Sequence, residues 1–327
     1  MPIFDFKQKM EEFAADYVKA LGGYQAHNIQ LSYQIQNVSA VPSGSTNINV
    51  IPRLARTSVQ NAINNTSVTQ TQTLTFSETT TETDSSTTTH GSKFSTTVSS
   101  TSKFSANLKF NEVGTSTEKT IGVSVTGEYN FSNSQTKTVT KGRNWNLTQP
   151  VVIPPRTSLT CTLLVYDSPF SVPINLNCNI VGTTKVSSPG VETRNFLGTF
   201  DYRKVNDSNT YRYYLPPNSI MQRNWPGKPP EFVGYTTTNS RDDTLIFRGQ
   251  GIEEVATGLY STVRFDESPL PGYQGEKRTY YSPAQLVNED NIISSESMNI
   301  PIINPFSNTN DFSVVNPITN SLNDFPV

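Results

Sequence analysis

The chain has 327 residues, with 25 Lys or Arg against 27 Asp or Glu, a formal net charge of −2. Charged residues make up only 16% of it, and polarity comes instead from Ser, Thr and Asn, so no electrostatic footprint for nucleic acid is visible. Two cysteines and two histidines are too few for a disulfide framework, a metal cage or most nucleophilic sites, and no apolar run reaches the ~18 residues that a membrane helix needs.

The opening MPIFDFKQKMEEF has neither a basic region before an apolar core nor a cleavage site, so no signal peptide is expected and the chain reads as water-soluble. One helix is predicted. Asp5 caps it, with Gln8 placed as the reciprocal capping-box partner. Phe6, Met10, Phe13, Tyr17 and Leu21 recur at helical spacing and Gly22-Gly23 ends it. That stripe predicts a helix docked on the body.

From 65 to 150 the chain is dominated by Ser and Thr. Such a composition would suit disorder, but Thr is β-branched and favours strands, and the segment carries no Pro before Pro150 and no Gly before Gly91. Long, exposed, strongly twisted strands are expected. Within this segment, Phe104, Ala106, Leu108 and Phe110 alternate with polar residues, and so do Ile121, Val123, Val125, Tyr129 and Phe131. The period of two places each apolar set on one strand face. A hairpin that pairs Phe110 with Ile121, Leu108 with Val123 and Ala106 with Val125 collects them on one side. Asn107, Lys109, Ser124, Thr126 and Glu128 then share the other, with Lys103 opposite Glu128.

A core strand and a lipid-facing strand both need this alternation. Three features favour lipid as the eventual partner: a polar face of small or flexible residues, arms that match the roughly 9–11 residues of a tilted spanning strand, and Ser/Thr-rich strands on either side. One hairpin cannot span alone, because its edges would leave backbone groups unpaired in hydrocarbon, so strands from several copies are required. The tip, with Glu112, Glu118 and Lys119, would then have to cross. In the soluble protein the apolar face is expected to rest on the body.

Residues 146–181 read as a kinked entry and then a hairpin reversing at SPFS, 168–171. That register pairs Val165 with Ile174, Leu163 with Leu176, Leu159 with Ile180, and Cys161 with Cys178. The cysteines form either a cross-strand disulfide or two small buried apolar groups. Between 196 and 240 aromatics gather: Tyr202, Tyr211, Tyr213, Tyr214, Trp225, Phe232 and Tyr235. They fit a binding surface for sugar or protein, or a small core. Strand-like DTLIFRGQG and GLYSTVRFDE follow, and from Thr279 onward there is no Lys or Arg.

Chemistry-bearing motifs are absent: no glycine-rich phosphate loop, no paired Cys motif, no H-E-x-x-H. The carboxylate pairs Asp242-Asp243 and Glu253-Glu254 are adjacent, so on a strand they would face opposite ways, and they read as solvated turn residues. No enzyme, cofactor or metal is expected.

The Ser/Thr-rich strands around an alternating hairpin, the run W-N-x-x-Q-P-V-x-x-P-P-R from Trp145 to Arg156, and ATGLYSTVRFDE together resemble the aerolysin-type β-pore-forming toxins, in the epsilon-toxin and mosquitocidal-toxin branch that includes insecticidal crystal proteins. The similarity covers roughly residues 60–280. It implies a mostly β, elongated molecule of long twisted antiparallel strands with a β-sandwich and a small head carrying the N-terminal helix. On that scheme 1–64 with 196–243 form a receptor-binding head, 65–150 the pore-forming region with its insertion hairpin at 104–131, 151–195 with 244–282 a sandwich and assembly region, and 283–327 a C-terminal propeptide. It further implies a secreted or parasporal protoxin that binds an unknown receptor, protein or glycan, on a target-cell plasma membrane. A host gut protease trims it, with Lys277 and Arg278 as candidate cut sites, and seven or eight copies insert a barrel. The alternative is a non-lytic, lectin-like binder on the same scaffold.

Overall fold

In the computed structural model the described residues are 3–114, 117–188, 191–217, 234–237 and 244–287. In chain order the elements are β1 (Ile3–Asp5), α1 (Phe6–Ala20), β2 (Tyr24–Leu31), β3 (Tyr33–Pro42), β4 (Asn47–Asn49), β5 (Arg53–Asn64), β6 (Gln70–Lys93), β7 (Ser99–Asn111), β8 (Glu118–Asn130) and β9 (Lys137–Ile153). There follow β10 (Thr157–Gly182), β11 (Thr184–Ser188), β12 (Val191–Phe196), β13 (Gly198–Lys204), β14 (Tyr211–Tyr214), β15 (Tyr235–Thr237), β16 (Thr244–Pro269), β17 (Arg278–Tyr281) and β18 (Gln285–Leu286). The protein is mostly β, as its composition predicts.

The helix forms where capping and stripe place it. The Asp5 carboxylate accepts from the Lys7 and Gln8 amides at 3.0 and 3.2 Å, satisfying two of the free N–H groups of the first turn. The reciprocal half of the box does not form, because the Gln8 side-chain amide donates to the Glu12 carboxylate one turn on, at 3.0 Å. Phe6, Met10 and Phe13 are buried with Ala14 and Val18, whereas Leu21 at the C-cap stays 45% exposed. Gly22 and Gly23 take left-handed backbone (φ 89° and 80°) that ends the helix.

Two strands of 26 residues, β10 and β16, pair antiparallel over their whole length and form the spine. The far edge of β10 carries β5 opposite Thr157–Asp167 and β3 opposite Ile174–Gly182. The far edge of β16 carries β15, β6, β18 and β17 in turn. The Ser/Thr-rich segments do form long strands: β6 runs for 24 residues and β9 for 17, paired from Gln70–Ile153 to Ser86–Lys137.

The expected reversal at 168–171 is absent. β10 runs straight through it, and Val165, Ile174, Leu163 and Leu176 all pair with β16 instead of with each other. Cys161 and Cys178 therefore lie on one strand, opposite Phe265 and Phe247. At about 3.3 Å per residue they are tens of ångströms apart, both are buried free thiols, and the disulfide alternative is excluded. Two features explain the misreading. Leu159, Cys161, Leu163 and Val165 are buried on one face, whereas Phe170, Val172, Ile174, Leu176, Cys178 and Ile180 are buried on the other. One strand that serves two cores from opposite faces mimics the parity exchange of a tight turn. The prolines are tolerated because Ser168–Pro173 falls in the gap between β5 and β3. The Pro173 carbonyl points into that gap, accepting from the Ser43 amide at 2.9 Å. Pro173 and, two steps of the period away, Pro169 thus direct their missing N–H where no ladder bond is owed.

Candidate functional site

The hairpin of β7 and β8 has arms of 13 residues each. Its register differs from the expected one by two residues: Phe104 pairs with Val125, Ala106 with Val123, Leu108 with Ile121 and Phe110 with Lys119, and Glu128 faces Thr101 rather than Lys103. The ladder closes as far as Asn111–Glu118, and the Glu112 amide donates to the Thr117 carbonyl across the turn. A shift of two leaves every side chain on its predicted face, so the pattern alone could not choose between the registers.

The apolar row lies against the body. Ala106, Leu108, Phe110, Ile121, Val125, Tyr129 and Phe131 are each at most 4% exposed, and Phe104 and Val123 pack partly buried beside them. Each fully buried Leu, Val or Phe contributes roughly 1.5–3 kcal/mol, so this row is sheltered from water as strongly as the core with which it merges. Asn107, Lys109, Ser124, Thr126 and Glu128 are all exposed on the opposite face, where Glu128 pairs with Lys137 of β9.

The hairpin is held down at its tip, at its base and along one edge. At its tip the Phe110 ring stacks on Tyr260 (5.5 Å, 2°), which stacks in turn on Tyr166 (4.7 Å, 18°), while the Val113 amide donates to the Tyr260 hydroxyl at 2.9 Å. At its base the Tyr129 hydroxyl donates to the Glu253 carboxyl, and Phe131 meets Phe247. Along its outer edge runs a strap, residues 43–52. Ser43 and Ile51 tie this strap to β10, at Pro173 (2.9 Å) and Ser168 (3.1 Å), and between them β4 pairs in parallel with Asn107–Lys109. Asn107 donates its side-chain amide to Asn47 at 2.9 Å. The strap covers an edge that would otherwise be free for unwanted strand pairing.

Two glycines make the fit possible. A Cβ at Gly127 would lie 2.1 Å from the Glu253 carboxylate, and one at Gly251 would lie 2.7 Å from the Tyr129 ring. Glu253 is not the solvated turn residue expected from its neighbour Glu254. It sits inside β16, opposite Ser86 of β6, and is 0% exposed. Sequence reasoning missed this residue because the only signal, an acidic side chain in a strand-like stretch, is indistinguishable from a surface position without the pairing. Asp242 lies outside the described residues, as does Asp243.

The aromatic cluster divides. Tyr202, Tyr211, Tyr213 and Tyr214 stand on the three-stranded sheet of β2, β13 and β14. Tyr202 stacks on Tyr211 (5.5 Å) and meets Tyr24 edge-on (5.5 Å), and Tyr211 is 44% exposed. Tyr213 turns inward to Tyr17 and Phe200, and Tyr214 packs on Phe196. Tyr235 is a core residue, 4% exposed, against Phe6 and Phe247 and hydrogen-bonded to Ser92, so its ring is not presented to a ligand. Trp225 and Phe232 lie outside the described residues. Lys277 is exposed just before β17, whereas Arg278 is within it, opposite Glu267. Beyond that point β17 and β18 cover the β16 edge at Arg264–Glu267 and Tyr260–Ser261.

Among the described residues no helix is long and apolar enough to cross a membrane. Similarity to known proteins agrees with the fold. The chain is 37% identical over 284 residues to the pesticidal crystal protein Cry15Aa of Bacillus thuringiensis subsp. thompsoni, covering 85% of this chain and 77% of that protein. A chain of the Cry23Aa1–Cry37Aa1 binary complex superposes with a TM-score of 0.60 at 22% identity, covering 87% of this chain and 98% of that one. A non-toxic crystal protein from Bacillus thuringiensis superposes equally well, with a TM-score of 0.60 at 19% identity and 84% and 100% of the two chains covered. The sequence pattern of a toxin family matches residues 25–279, and the chain belongs to that family, described as Clostridium epsilon toxin ETX/Bacillus mosquitocidal toxin MTX2.

Proposed function

We propose that the chain is a β-pore-forming protoxin, insecticidal in kind, whose 104–131 hairpin leaves the body and supplies two strands of a transmembrane barrel built from several copies. One observation carries this reading. The hairpin is a separable unit with an apolar row, a fully exposed polar row and spanning length, held by a strap, a tyrosine stack and one buried carboxyl. In a barrel the same apolar row, Phe104 to Phe110 and Ile121 to Phe131, faces lipid, and Asn107, Lys109, Ser124, Thr126 and Glu128 line the lumen. Tyr211 of β14, exposed and stacked on the half-buried Tyr202 of β13, supplies the contact with the target surface. Proteolysis at Lys277 or Arg278 detaches β17 and β18 and uncovers the β16 edge for a neighbouring copy. That edge is coupled to the hairpin, because Leu259 and Tyr260 receive the C-terminal strand and Tyr260 also receives the hairpin tip.

The test locks the strap to the hairpin. Asn47→Cys with Asn107→Cys joins register partners of a parallel pair, within the Cα spacing a disulfide tolerates. Oxidised double variant should bind susceptible membranes but release no trapped dye, and reduction should restore release. Dye release by the oxidised form would contradict the proposal. The alternative, a non-lytic binder of carbohydrate or protein, is favoured by the fold's occurrence in a crystal protein described as non-toxic; it predicts binding without release in both redox states.

A further inference from the structure

Glu253 and Glu254 occupy adjacent positions on β16 and face opposite ways: Glu254 is exposed and Glu253 is 0% exposed. Every element packed around Glu253 contributes to its setting. From β8, Tyr129 donates its hydroxyl and Gly127 leaves the space that the carboxyl fills. From β7, Ser102 lies opposite Gly127 with a buried hydroxyl that has no partner. From β6 come Ser86, which hydrogen-bonds to it, and Asp84, whose charge acts on it unfavourably. Lys141 of β9 acts on Asp84, and Glu128 of β8 and Lys137 of β9 pair with each other on the exposed face. Among the described residues no cation pairs with Glu253, and its Oε1 has no hydrogen-bond partner.

An ionised carboxylate here would be a buried charge with no counter-charge, a state that costs several kcal/mol. Two sides of the site cannot yield, since β10, β16 and β6 are joined by backbone ladders. The third side is the hairpin, and lifting it would admit water. We propose that the Glu253 carboxyl is a pH-sensitive catch that holds the hairpin against the body while protonated and frees it when ionised. Burial, with Asp84 adding to it, pushes this carboxyl above its ordinary value of 4.5, against the opposing hydrogen bonds of Tyr129 and Ser86. A group so raised in the folded state contributes stability that is fully present below about 4.5 and is lost as pH rises through the raised value. The direction is opposite to that of an ordinary paired carboxylate, and the release is driven by alkali.

The test is hydrogen exchange on the full soluble chain, read as protection factors so that the intrinsic pH dependence of exchange is removed. Across the range from pH 5 to 9, protection of amides in 104–110 and 121–131 should fall by about tenfold, while the β10–β16 ladder keeps its protection. Glu253→Gln, which cannot ionise, should abolish the fall. Asp84→Asn, which removes a neighbouring negative charge, should move the midpoint to lower pH. Hairpin protection that is flat in wild type, that falls in step with the β10–β16 ladder, or that falls equally in Glu253→Gln overturns the proposal. Should Glu253→Gln fail to fold, wild type and Asp84→Asn decide it alone. No membrane is present, so the outcome is independent of whether the hairpin forms a pore.

Discussion

Trp145→Ala is expected to remove about 3–5 kcal/mol of stability, the range for truncating a fully buried large aromatic. Trp145 is 1% exposed on β9, and its Nε1 donates to Thr80 Oγ1 at 2.8 Å. Its ring lies so close to Gly258 that a Cβ there would come within 2.6 Å. The backbone amide of Gly258 and the hydroxyl of Thr257 donate to Glu82 at 2.9 and 3.0 Å, and Arg143 engages the same carboxylate through two bonds of 2.6 and 3.1 Å. Truncation thus leaves a cavity, an unpaired Thr80 hydroxyl and an unsupported charge network. Chemical denaturation should show a lower midpoint at unchanged m-value; a loss below about 1 kcal/mol would mean that β9 is not fixed by this residue.

Gly127→Ala should loosen the hairpin without loosening the rest. The added methyl would meet the Glu253 carboxylate at 2.1 Å and Ser86 Oγ at 2.8 Å, and Glu253 is fully enclosed, so it has no free direction in which to retreat. Overpacking of this kind costs about 1–3 kcal/mol. Faster hydrogen exchange confined to 99–131, with β10 and β16 unchanged, is the expected signature. Exchange unchanged in the hairpin would show that β8 does not close down on Glu253.

What the sequence disclosed was whatever depends on local period. The helix stripe from Phe6, the polar and apolar faces of 104–131 and the strand character of the Ser/Thr tract are all written at spacings of two to four residues. What it concealed depends on partners distant in the chain. Phe110 pairs with Lys119 rather than Ile121 because alternation is unchanged by a shift of two. Cys161 and Cys178 could be placed face to face only because β10 changes its buried side in mid-strand, which no periodicity distinguishes from a turn. Tyr235 looked like the other aromatics of the 202–235 cluster until β16 and α1 enclosed it. Glu253, Gly127 and Gly251 carry meaning only together, and they come together only when β8 is laid across β6 and β16.

The most direct measurement follows the hairpin into the membrane with an environment-sensitive fluorophore on single cysteines introduced one at a time from 104 to 110. The native thiols do not compete at neutral pH, since burial, with a lesser effect of Asp266, pushes Cys161 up to about 11 and burial pushes Cys178 up to about 12. On trimmed, membrane-bound protein, probes at 104, 106, 108 and 110 should turn apolar and be quenched by lipid-borne quencher, while probes at 105, 107 and 109 stay aqueous. A profile with no period of two, or one that stays aqueous throughout while dye is released, would contradict the assignment of this hairpin to the membrane.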